Sequence, residues 1–144
     1  MKKLLLLAGL ILYSCSQPIQ NPKFKNNVVL AKKWFELWEA EDIDGLSLMI
    51  SEKVEWQGAF YGQEPTKSKT EVIDYINGWI GAMENINYEP DNFLAGVDPE
   101  TNLPNGSVRT YGTWTGINTA SNKNFEDKFY HYLTFNDDGL VING

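Results

Sequence analysis

Hydrophobic spacing changes period once along this chain, near Ile86, and that change restricts what it can fold into. Before Ile86 the apolar residues recur every three or four positions; after it they alternate. In Val28 to Glu41, Leu30, Trp34, Leu37 and Trp38 share a helical face that Ala31 and Phe35 widen, with Lys32, Lys33, Glu36 and Glu39 opposite. Asp42 is placed to cap a second, short helix through Ile43, Leu46, Met49 and Ile50, and Val54-Glu55-Trp56 reads as a brief strand. Ser68-Lys69-Thr70-Glu71 is a capping box for a third helix with the apolar stripe Val72, Tyr75, Ile76, Trp79 and Met83. Ile86 to Leu94 is extended, and Pro90 confines it to an edge or bulged strand. Ser107 to Thr115 and Phe125 to Phe135 are strongly β-forming. Asn136-Asp137-Asp138-Gly139 is a hairpin turn into a last strand beginning at Leu140. Helices first and an antiparallel meander after predict an α+β domain, with three N-terminal helices packed on one face of a curved antiparallel sheet.

Composition narrows the function classes. The 144 residues amount to about one domain. Aromatic residues at 13% and charged residues at 22% exclude a disordered chain. A formal charge of −7 excludes a protein that tracks nucleic-acid phosphates. One cysteine excludes an internal disulfide and one histidine a multi-histidine metal centre. Asp98-Pro99-Glu100-Thr101-Asn102 lacks a complete calcium-loop spacing, and Asp137-Asp138 reads as a turn. There is no Gly-rich phosphate loop, nucleophile elbow or zinc motif, so neither a metal nor a cofactor is expected.

The N-terminus reads as an address. Met1-Lys2-Lys3 is basic, and Leu4 to Leu12 is an apolar run too short to span about 30 Å of hydrocarbon, the pattern of a secretory signal over residues 1–14. Leu12-Tyr13-Ser14-Cys15 resembles a bacterial lipobox, which implies cleavage before Cys15 and diacylglycerol on its thiol. A free thiol is a liability in an oxidising compartment, whereas several acyl chains at about 0.8 kcal/mol per methylene make a stable anchor. Loss of Lys2 and Lys3 with the signal takes the formal charge from −7 to −9. An anionic leaflet repels such a body, so the acyl chains would hold it. Residues 15–26 then form the lipidated cysteine and a polar tether, and residues 27–144 the domain. The expected location is the membrane, anchored by lipid and facing the periplasm or the cell exterior.

The order of elements from Asn27 to Gly144 is similar to that of a known superfamily. A tryptophan-rich first helix runs into Glu39-Ala40-Glu41-Asp42-Ile43-Asp44-Gly45-Leu46 and then Val54-Glu55-Trp56. Later come Tyr111-Gly112-Thr113-Trp114-Thr115-Gly116 and Tyr130-His131-Tyr132-Leu133-Thr134-Phe135-Asn136-Asp137-Asp138-Gly139. This resembles the nuclear transport factor 2-like superfamily, especially its SnoaL-like bacterial members. The resemblance implies a cone: helices wrapped by a bent sheet, with an apolar pocket opening between them. It also implies a last strand running past the position of Ile142; here Asn143 and Gly144 follow, so a short final strand is expected. The superfamily holds isomerases, cyclases, dehydratases and epoxide hydrolases beside transport factors and noncatalytic domains, and a fold does not choose among them.

The family's enzymes mostly place an aspartate or a histidine in an apolar cavity, where burial moves its pKa. His131 is the candidate general acid or base, on one strand face with Phe129, Leu133 and Phe135. The commoner role for such a residue is a structural histidine bonded across the sheet. If the protein is an enzyme, Tyr111 and Arg109 are the candidates for stabilising developing charge. Asp127 shares the face of His131 but lies more than ~10 Å along the strand. Trp34, Trp56, Tyr61 and Trp114, with Asp127, are the expected lining for a small, largely apolar or aromatic ligand, and Trp79 is expected in the core. The opposite strand face carries Tyr130 and Tyr132 and is not cleanly polar, so a second copy is expected to cover it as a homodimer. The leading reading is a lipid-anchored, noncatalytic binding domain. The alternatives are a cofactor-independent lyase or isomerase using His131, and a protein-interaction module using the sheet face.

Overall fold

A computed structural model describes residues 21–144 of the protein; the signal segment and Cys15 lie outside the described residues. Helix α1 spans Phe24–Glu39, α2 Ile43–Leu48 and α3 Lys69–Gly81. Strand β1 (Ile50–Glu55) sits between α2 and α3; β2 (Met83–Val97), β3 (Pro104–Asn118), β4 (Lys123–Phe135) and β5 (Val141–Asn143) follow α3. The expected order of helices and strands is present, and the fold class is α+β.

Local chemistry explains most boundaries. Asp42 caps α2 by accepting from the Gly45 amide at 2.8 Å. Ser68 caps α3 by accepting from the Glu71 amide at 3.3 Å, while its hydroxyl donates to the Glu71 carboxylate at 2.9 Å. Asn136 closes the β4–β5 turn by accepting from the Asp138 and Leu140 amides, and Gly139 takes the positive φ of 78° that the turn needs. Helix α1 begins four residues before Val28, in the stretch read as tether. Two asparagines brace that end against β3: the Asn21 amide donates to the Pro104 carbonyl and the Asn27 amide to that of Gly106. Among the described residues no helix is long and apolar enough to cross a membrane.

The five strands form one sheet in the order β1-β5-β4-β3-β2. Every neighbouring pair is antiparallel except β1 with β5, which run parallel, so the sheet is mixed rather than antiparallel throughout. Ile50 ends the second helix of the sequence reading and instead starts β1, opposite Val141. Strand β2 is both an edge strand and a bulged one, with register shifts on either side of Pro90 and near both ends. Bulges add local twist and bend the long β2–β3 ribbon.

Register decides which side chains face the helices. Val108, Thr110, Gly112 and Trp114 of β3 stand opposite Leu133, His131, Phe129 and Asp127 of β4 on the inner face. Arg109, Tyr111 and Thr113 stand opposite Tyr132, Tyr130 and Lys128 on the outer face. The inner face packs on Ala31, Trp34, Phe35 and Leu37 of α1, Leu46 of α2, and Val72 and Ile76 of α3. Tyr88 lies across Gly112, where a Cβ would come within 2.5 Å of its ring, so glycine is what permits that contact.

Candidate functional site

His131 sits where α1, β2, β3 and β4 converge. Phe35 from α1, Tyr88 from β2 and Phe129 from β4 surround its ring, with centroids at 5.2, 5.4 and 5.7 Å; the Phe129 ring is stacked at 16°. The Trp114 indole N–H donates to His131 Nε2 at 2.7 Å. Indole can only donate, so Nε2 carries the lone pair and the neutral imidazole has its proton on Nδ1. Burial holds the His131 pKa down, from 6.5 to about 4. The Trp114 bond works in the same direction, because an imidazolium cannot accept it.

This arrangement limits the chemistry. At neutral pH the imidazole has no acidic proton to give as imidazolium, and its one lone pair is engaged by Trp114. No carboxylate pairs with it among the described ion pairs. Nor do three or more histidine, cysteine, aspartate or glutamate side chains gather to hold a metal among the described residues.

The residues singled out from the sequence fall into three groups. Trp114 and His131 meet directly, and Asp127 is the cross-strand partner of Trp114, on the inner face but exposed. Arg109 and Tyr111 lie on the outer face, so the sheet separates them from His131 and the three do not assemble around one substrate. Arg109 is turned onto its own sheet, Nε and Nη2 both donating to the Ala95 carbonyl at 3.2 and 2.9 Å. Tyr111 is half exposed beside Tyr130, whose hydroxyl is pushed up by burial against the opposing pull of the nearby Arg109 charge.

The remaining three fall away from the mouth. Trp34 is 2% exposed and packs on Trp56 at 5.6 Å; both are core. Tyr61 is fully exposed on a loop, and Phe60 next to it stacks on Trp79 at 5.9 Å, which places Trp79 outside the core expected for it. The sequence reading did not single out Tyr88, whose ring stacks on Phe35 at 4.2 Å and meets Trp114 at 4.6 Å. Gly112, two residues before Trp114, is the signal that a ring from the neighbouring strand crosses there.

The hollow of the cone is therefore occupied around His131 by aromatic rings. Trp38, Trp114, Phe129 and His131 remain half-buried and form a shallow rim, with Trp38 and Trp114 at 6.0 Å. Two surface depressions lie elsewhere. One of about 420 Å³ is at the far ends of β3 and β4, around Gly116 and Phe125. The other, of about 540 Å³, is bordered by Lys53, Lys67, Tyr132 and Thr134.

No family model matches the chain. No curated protein matches it either. Solved structures do. SalBIII, an epoxide hydrolase/cyclase-like enzyme of pyran-ring formation in the polyether salinomycin, superposes with a TM-score of 0.69 at 16% identity, over 83% of this chain and 87% of that one. An NTF2-like protein of unknown function from Exiguobacterium sp. 255-15 gives 0.64 at 13% identity, over 79% and 92% of the two chains. Rv0760c from Mycobacterium tuberculosis, in complex with estradiol-17β-hemisuccinate, gives 0.64 at 12% identity, over 81% and 88%. The element order, the sheet and these superpositions agree: the chain has the nuclear transport factor 2-like fold.

Proposed function

We propose that the protein is a membrane-anchored lipoprotein whose domain binds a small, largely apolar or aromatic molecule without transforming it. The observation that carries the noncatalytic part is the Trp114–His131 hydrogen bond inside an aromatic shell. An acid–base catalyst needs its histidine free to exchange a proton with substrate near neutral pH. Here the one lone pair is taken and the pKa is far below 7. The same shell supports binding, since its half-buried rings offer flat apolar surface at the open end of the cone. One structural neighbour with a steroid ester bound, and another that is a cyclase-like enzyme, mark the range of uses of this fold.

Tryptophan fluorescence tests the binding site. Titration with 1-naphthol is expected to quench saturably, and Trp114→Ala to weaken the affinity about tenfold, the worth of one or two aromatic contacts. Trp79→Phe, on the far side of α3, should leave the affinity unchanged. Equal affinity in the Trp114→Ala protein overturns the placement of the site.

The anchor rests on Lys2, Lys3, the Leu4–Leu12 run and Cys15. Cys15→Ala is expected to move the protein from the membrane to the soluble fraction on cell fractionation; retention in the membrane overturns the lipid anchor. The protein acts as a homodimer formed through the outer face of the sheet. What favours this is the pair Tyr111 and Tyr130, each 48% exposed with ring centroids 5.1 Å apart, with Leu94 exposed on the same face. Exposed tyrosines on a flat sheet are typical interface composition.

A further inference from the structure

Two charges on the outer face have no counter-ion. Arg109 is the chain's only arginine, in a molecule with formal charge −7. It bonds only to the Ala95 carbonyl, through Nε and Nη2, which leaves the Nη1 edge of the guanidinium uncommitted. Glu89, exposed on β2, stands opposite Thr113 of β3 on the same face. Among the described residues neither makes an ion pair, while nearby Lys128 is matched with Asp91 at 3.7 Å. A half-buried arginine is an uncommon residue to leave unmatched, and arginine with tyrosine is the composition of interface hot spots.

The positions of the two charges are symmetric about the tyrosine pair. On β3, Arg109 precedes Tyr111 by two residues and Thr113, the partner of Glu89, follows it by two. At about 3.4 Å per residue each lies about 7 Å along the strand from Tyr111, on opposite sides. Consider a two-fold axis lying over Tyr111 and Tyr130, parallel to the sheet and perpendicular to its strands. It keeps the facing strands nearly aligned, as packed sheets require. It also exchanges the two sides, bringing Arg109 of one copy over Thr113 and Glu89 of the other. A two-fold interface must be self-complementary in this sense, and the contact then occurs twice.

We infer that a second copy of this chain covers the outer face with Tyr111 and Tyr130 on the two-fold axis, and that reciprocal Arg109–Glu89 ion pairs set the register of the two copies. The inference rests on the homodimer proposed above and specifies its geometry. Its consequence is an interface that reads charge order as well as shape, since any other sliding register leaves the guanidinium against uncharged tyrosine and threonine.

The test is charge reversal in the full chain, with two copies carrying different epitope tags and co-purification of one tag with the other as the readout. Wild-type copies are expected to pair. Arg109→Glu copies are expected to lose pairing with each other by about tenfold or more, because two pairs of glutamates then face one another. Glu89→Arg copies are expected to lose it for the mirror reason. A mixture of the two variants is expected to pair again, since every contact is once more between opposite charges. Cooperative thermal melting confirms that each variant is folded, and Arg109→Met replaces Arg109→Glu if the latter is not. With Arg109→Met, pairing with Glu89→Arg copies should exceed the pairing of Glu89→Arg copies with themselves. If both single variants pair as wild type does, or if the mixture is not restored, the inferred register is wrong although the homodimer stands. If wild-type copies do not pair, the homodimer reading fails and this inference with it.

Discussion

Trp34→Ala is expected to lower the unfolding free energy by about 4 kcal/mol, the largest single loss in this domain. Truncating a large buried aromatic removes its transfer free energy and leaves a cavity that the surroundings fill only in part, and the usual cost is about 3–5 kcal/mol. Trp34 is 2% exposed and ranks among the largest fully buried side chains. Its ring meets Trp56 at 5.6 Å and Trp38 at 6.5 Å, so the substitution also loosens two neighbours. Urea unfolding followed by circular dichroism reads the loss as a drop in midpoint at constant slope. The result also bears on function. Were Trp34 part of a ligand mouth, as the sequence allowed, its truncation would weaken binding and leave stability nearly intact. A loss under about 1 kcal/mol would return Trp34 to the rim and overturn its place in the core.

The second large effect depends on pH. Lowering the pH from 7 to 4 is expected to cost up to about 3 kcal/mol through His131 alone. The folded protein holds this imidazole neutral down to about 4, against 6.5 for an ordinary histidine. Between those values the unfolded chain binds a proton that the folded chain refuses. Stability is therefore fully present above the unfolded pKa and falls as the pH drops toward the folded one. Below the folded pKa the imidazolium has to displace the Trp114 N–H from Nε2. His131→Gln keeps an acceptor for Trp114 and removes the titration. Its stability should be close to wild type at pH 4 and lower at pH 7, so the difference between the two proteins shrinks as the pH falls. Carboxylates destabilise both proteins equally in acid and cancel in that difference. Parallel curves from pH 7 to pH 4 would show that His131 is solvated, and would reopen its use as an acid or base.

Much of the fold is legible because it rests on local spacing. The capping box at Ser68 and the cap at Asp42 place the starts of α3 and α2 through hydrogen bonds that span three residues. Pro90 identifies β2 as an edge because a proline cannot donate to a central ladder. The start of α1 is less legible, because Phe24 to Asn27 has little helical signal of its own. Asn21 and Asn27 hold that turn by bonding to carbonyls 83 and 79 residues away. The parallel pairing of β1 with β5 is likewise long-range and leaves no local mark.

The candidate site was legible in composition but not in arrangement. His131 and Trp114 could be named as candidates, since one histidine and five tryptophans stand out in any reading. Their hydrogen bond depends on the register of β3 against β4, and a shift of one residue would send every side chain to the other face. The same register separates Arg109 and Tyr111 from His131, and only coordinates reveal it. Trp34 and Trp56 misled for a related reason: an indole at a helix end or strand end serves equally in a core or at a rim, and the neighbours that bury it come from elsewhere in the chain.

What the residues determine unaided is the order of elements, the α+β class, the acidic charge and the lipobox-like Cys15, all of which depend on periodicity, composition or short motifs. What only the tertiary structure decides is which face each strand residue takes, and hence that His131 is a neutral acceptor within aromatic rings while Arg109 waits on the opposite surface. The physical reason is that hydrogen-bonded register couples residues far apart in sequence, and no local preference encodes it.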